Sequence, residues 1–102
     1  MAFNIQTVAN TNEVEVAYNF NNYSSMTFVN THATAAVTID LYIKNAAGTV
    51  VAYFLNNVKI PNAVSLKLEQ DEFSFNNSLY TLYIDSDNTA GAIDIISRKK
   101  YD

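Results

Sequence analysis

The side chains able to act as acid, base or nucleophile are few, and they are scattered. His32 is the only histidine, it stands in the apparent loop Thr31-His32-Ala33-Thr34, and the chain has no cysteine. A Ser-His-Asp triad would join His32 to a serine such as Ser86 and a buried carboxylate, but no G-x-S-x-G-like nucleophile turn is present. Glycoside hydrolysis needs two carboxylates facing each other across a cleft, whereas Glu13, Glu15, Glu69, Asp71 and Glu72 all fall on solvent-side positions. Gly48 and Gly91, the two glycines, are too far apart for a phosphate-cradling loop. Asp85-Ser86-Asp87-Asn88 begins like a calcium loop, yet Ala90 stands where that loop needs glycine and no bidentate glutamate follows. It reads as a turn. The expectation is a protein without catalytic residues, cofactor or metal.

The elements that carry these residues are extended. Val37-Thr38-Ile39-Asp40-Leu41-Tyr42-Ile43-Lys44 alternates apolar and polar without a break, so Val37, Ile39, Leu41 and Ile43 share one buried face of a strand. Similar runs recur about every ten residues. They cover Phe3-Val8, Glu13-Phe20, Ser25-Thr31, Ala36-Lys44, Thr49-Leu55, Val64-Glu69, Leu79-Asp85 and Ala92-Arg98. Between them lie asparagine-rich turns, for the chain has fourteen asparagines against two glycines and one proline. Asparagine tolerates left-handed backbone and hydrogen-bonds its own main chain, so it closes turns at modest cost. No segment holds a 3.6-residue period, so helix content should be near zero.

At 102 residues the chain is read as one domain, with an N-terminal arm or edge strand over 1–12 and a short basic tail over 98–102. The expected fold is all-β: a two-layer antiparallel sandwich of seven or eight strands, jelly-roll or immunoglobulin-like. The predicted core is Val14, Val16, Tyr18, Phe28, Val37, Ile39, Leu41, Ile43, Val51, Tyr53, Leu55, Val64, Leu66, Leu68, Tyr80, Leu82, Ile84, Ile93 and Ile95.

Net charge is −4 with six Lys or Arg, too few to displace counterions from a nucleic acid. Half of those cations sit in Arg98-Lys99-Lys100, which reads either as a solvated tail or as a tether to an acidic neighbour. No apolar run approaches the roughly 20 residues that span a bilayer. Met1-Ala2-Phe3-Asn4-Ile5 lacks a basic segment followed by an apolar core, so no secretory signal is expected.

Thr49-Val50-Val51-Ala52-Tyr53-Phe54-Leu55 is apolar on both faces, unlike a strand with water on one side. With Val51, Tyr53 and Leu55 directed inward, Val50, Ala52 and Phe54 form an outward patch suited to a subunit contact. The N-terminal segment, with Phe3, Ile5 and Val8 out of phase, is the second expected contact. Tyr42 and Tyr83 are expected to face outward, where they could stack on sugar rings.

Met26-Thr27-Phe28-Val29-Asn30-Thr31, Val37 to Ile43, Tyr53-Phe54-Leu55-Asn56-Asn57-Val58-Lys59-Ile60-Pro61, Val64-Ser65-Leu66-Lys67-Leu68 and Ile93-Asp94-Ile95-Ile96 form a series. It resembles small β-sandwich virion proteins of tailed bacteriophages, including those of marine and cyanobacterial phages. Their pattern is an "x-V-x-N-T" strand, a "V-x-V-x-L-Y" strand, and "x-V-x-I-P" leading to "x-L-x-L". The resemblance covers roughly residues 25 to 97 and departs at Asn62, where glycine is frequent. It implies a non-enzymatic virion structural protein, foremost a capsid decoration or cement protein. Its partners would be the major capsid protein or neck and tail proteins, with a homo-oligomer in the particle. It would be made in the host cytoplasm, with no nucleic-acid or membrane role. The alternatives are a neck, tail or fibre component, or a carbohydrate-binding adhesin module.

Overall fold

The computed structural model describes residues 3–8, 13–16, 23–32, 34–73, 75–76, 78–87 and 93–99, without the side chains of Phe3, Asn4, Tyr23, Gln70 and Lys99. The elements are β1 (Phe3–Val8), β2 (Val14–Glu15), β3 (Tyr23–Asn30), β4 (Val37–Lys44), β5 (Val50–Ile60), β6 (Ser65–Glu69), α1 (Gln70–Phe73), β7 (Thr81–Ser86) and β8 (Ile93–Lys99). They form two four-stranded sheets, β1-β8-β3-β6 and β2-β7-β4-β5, and every pairing is antiparallel. Consecutive strands alternate between sheets except at the β4–β5 hairpin. This is the strand order of a jelly roll, which the sequence left open against an immunoglobulin-like order.

Period-two patterning places the core between the sheets. Met26 and Phe28 from β3 and Ile93 and Ile95 from β8 meet Ile39 and Leu41 from β4 and Leu82 and Ile84 from β7. Each of these eight is almost fully buried. Among the predicted core residues, Val14, Leu55, Leu66 and Tyr80 pack on this cluster half-buried, and Tyr18 lies outside the described residues.

Three predicted core residues are instead exposed: Val51, Tyr53 and Val64. For β5 the cause is its register against β4. Ile39 pairs with Val58 and Leu41 with Leu55, so two steps on β4 take three on β5. From Leu41–Leu55 to Tyr42–Tyr53, and again from Ile43–Ala52 to Lys44–Val50, one step takes two. Each extra residue is a bulge that resets which side chains face inward. Leu55 therefore faces the core opposite Leu41, Phe54 occupies a bulge, and Tyr53 emerges beside Tyr42 on the opposite face. Asn57, at a second bulge, has φ 55° and donates its N–H to Asp40 Oδ1 at 2.6 Å. Val64 lies in the turn that leaves Pro61, just ahead of β6.

Helix is limited, among the described residues, to the single turn α1, in keeping with the near-zero content expected. The single turn of α1 places Phe73 wholly inside the core, with Glu72 accepting from the Glu69 N–H at 2.8 Å. The asparagine turns behave as expected from their chemistry. Asn45 Oδ1 accepts from the Ala47 and Thr49 N–H groups, both at 3.0 Å, and Gly48 at φ 84° completes the loop. Asn76 Oδ1 likewise accepts from the N–H and the hydroxyl of Ser78.

Candidate functional site

The outer face of the β2-β7-β4-β5 sheet gathers the polar and aromatic groups. Because opposed residues of antiparallel strands share a face, Glu15, Tyr83, Tyr42 and Tyr53 form one row across four strands. The Tyr42 and Tyr83 rings stack at 6.2 Å between centroids, 22° apart. Tyr42 and Tyr53 lie at 5.2 Å and 47°. Such offset and tilted pairs stabilise by about 0.5–1.5 kcal/mol beyond the area they bury.

A polar clasp closes over this row. The Tyr42 hydroxyl donates to Glu13 Oε1 at 2.5 Å, and the Lys44 ammonium donates to Glu13 Oε2 at 2.7 Å and lies 2.6 Å from Oε1. Lys44 Nζ also sits 5.1 Å above the Tyr83 ring centroid, a cation–π contact. The hydrogen bonds from Lys44 and then Tyr42 hold the Glu13 carboxyl below its ordinary range. Burial first, then the hydrogen bond and charge of Glu13, push the Tyr42 phenol upward. Glu13 precedes β2, so the clasp ties that two-residue strand across β7 to β4.

Tyr42 is therefore not an open contact residue. It lies on the outer face but is 6% exposed, and its hydroxyl is engaged. Tyr83 is half-buried beneath Lys44, while Tyr53, expected in the core, is 52% exposed. Val51, the other correction on β5, is 47% exposed.

The expected outward trio divides. Val50 is half-buried opposite Lys44 and Ala52 is exposed. Phe54 packs against the core with its ring 6.1 Å from that of Phe75, contrary to an outward position. On β1, Ile5 is 56% exposed, whereas Val8 is 3% exposed and belongs to the core; the Phe3 side chain lies outside the described residues. In the basic tail Arg98 ends on the exposed side of β8, and Lys100 is outside the described residues.

The candidate chemical groups serve the backbone. His32 Nδ1 accepts from the N–H groups of Thr34 and Ala35 at 3.1 and 3.0 Å, fixing the loop after β3. Asp87 Oδ1 accepts from Thr38 N at 2.7 Å. Among the described residues no three His, Cys, Asp or Glu side chains gather as metal ligands. The sequence overlooked Glu13, Lys44 and Tyr53 as a group. The usable signal was the two-sided apolarity of β5, which marks a bulged strand as readily as a covered one.

The chain matches no family model, no curated protein and no solved structure.

Proposed function

We propose that this chain is a non-enzymatic virion structural protein of a tailed bacteriophage, acting as a decoration or cement protein on the capsid surface. The carrying observation is that Val51 and Tyr53 stand exposed together on β5, beside the braced row of Tyr42 and Tyr83. Adjacent exposed apolar side chains on a rigid sheet suit docking onto another protein. The jelly-roll order supports the reading at the level of fold, since viral capsid domains use it. The resemblance over residues 25 to 97 supports it from the sequence.

Binding the assembled shell and not its free subunits would add binding free energy to the shell. A lattice repeats a modest contact many times. The test is Val51→Asp combined with Tyr53→Asp, assayed for folding and for particle occupancy. Both sites are exposed, so the variant keeps its fold and loses occupancy on this reading. Wild-type occupancy by the folded variant contradicts it.

The adhesin reading keeps one favouring observation: Tyr53 offers a ring that is 52% exposed and set beside that of Tyr42. Saturable binding on a glycan array, abolished by Tyr53→Ala, would favour it over the capsid reading.

A further inference from the structure

The two sheets offer four edges, and three of them carry features that discourage strand addition. Along β5 the register against β4 shifts three times. In β6 there are five residues, with Lys67 and Glu69 exposed. β2 is two residues long. Bulges, charges and brevity are the usual protections of a sheet edge.

β1 has none of these. Phe3-Asn4-Ile5-Gln6-Thr7-Val8 contains no charge, proline or glycine, and all six residues pair with β8 without a register shift. Among the described residues no strand flanks its other side. It is held in place from within: Gln6 Nε2 donates to Glu15 O at 3.0 Å, and Thr7 Oγ1 donates to Asp94 Oδ1 at 2.8 Å. Ile5 is left 56% exposed on the outer face.

We propose that β1 is a self-association edge, pairing antiparallel with β1 of a second copy about a two-fold axis at Ile5. The two four-stranded sheets then become one of eight strands. Opposed residues must share a face, so the residue numbers of each pair sum to an even value. An Ile5-centred register satisfies this: Ile5 meets Ile5, Asn4 meets Gln6 and Phe3 meets Thr7. It covers the exposed isoleucines with each other and sets amides beside amides. A second copy suits this strand because β1 is uncharged, so the contact brings no like charges together despite the net charge of −4. The inference deepens the homo-oligomer expected of a virion component but rests on the edge geometry alone.

The experiment uses sedimentation velocity and thiol crosslinking on the full chain, with circular dichroism confirming the fold. Wild type forms a dimer as concentration rises, and Ile5→Lys raises its dissociation constant at least about tenfold. Ile5→Cys, in a chain without other thiols, crosslinks under mild oxidation. Thr7→Cys does not, because the two copies of that residue lie about 13 Å apart in this register. A wild type monomeric at every concentration, an Ile5→Lys variant that dimerises unchanged, or equal crosslinking at both positions overturns the proposal. None of these results bears on whether the protein binds a capsid, so the two readings fail separately.

Discussion

Asn30 donates its side-chain amide to the Ile60 carbonyl at 3.0 Å, joining the end of β3 to the end of β5. The same amide donates to Ala35 O at 3.0 Å, and Oδ1 accepts from His32 N at 2.9 Å. Its own N–H donates to Val64 O at 3.1 Å. Asn30 is 1% exposed, so a side chain with two donors and an acceptor is satisfied where water does not reach. It is also the asparagine of Val29-Asn30-Thr31, while Ile60 precedes Pro61, so the end of β3 is tied to the turn that follows β5 through one hydrogen bond.

Replacing that side chain should be costly. Asn30→Ala leaves the Ile60 and Ala35 carbonyls and the His32 N–H without this partner, and is expected to destabilise the domain by about 1–3 kcal/mol. Asn30→Asp should cost more, since a carboxylate would face two carbonyl oxygens. Urea denaturation of the two variants checks the order.

The bulges of β5 make a prediction opposite to simple alternation. Phe54→Ala should destabilise by roughly 2–4 kcal/mol, a little under the cost for a fully buried ring. Tyr53→Ala should cost about 1 kcal/mol or less, mostly the lost ring contact with Tyr42. Comparing the two denaturation midpoints decides the facing of the strand.

The clasp predicts a pH dependence at both ends. Glu13 titrates below its usual value when folded, so its contribution is present above about pH 4.5 and is lost as pH falls below it. Tyr42 titrates above its usual value, so its contribution is full below about pH 10 and declines as pH rises beyond it. Glu13→Gln should flatten the acid limb of stability against pH, and Tyr42→Phe the alkaline limb. Thermal melts across pH measure both.

Ala63 holds φ at 61° in the turn between β5 and β6, a conformation that an L side chain adopts at a cost. Ala63→Gly should stabilise by about 0.5–1 kcal/mol as that strain is relieved, offset in part by unfolded-state entropy. The comparison of chemical denaturation midpoints tests this.

Legibility in the sequence followed local regularity. β4 was readable because its alternation is unbroken from Val37 to Ile43. β5 was not, because three inserted residues reset its facing while Val50 to Leu55 stay apolar throughout. Phe73 escaped because a single helical turn is too short to show a period. The site was half visible: Tyr42 and Tyr83 alternate cleanly, but Tyr53 reaches their row only through the Phe54 bulge. Glu13 joins them across β7, a long-range closure that spacing does not encode.

The most direct test of the structural role is co-sedimentation of the purified protein with empty phage heads and, separately, with purified tails. The capsid reading predicts saturable binding to heads at a fixed number of copies per shell, raised resistance of those heads to disassembly, and no binding to tails. Saturation on tails alone, or on neither particle, contradicts it.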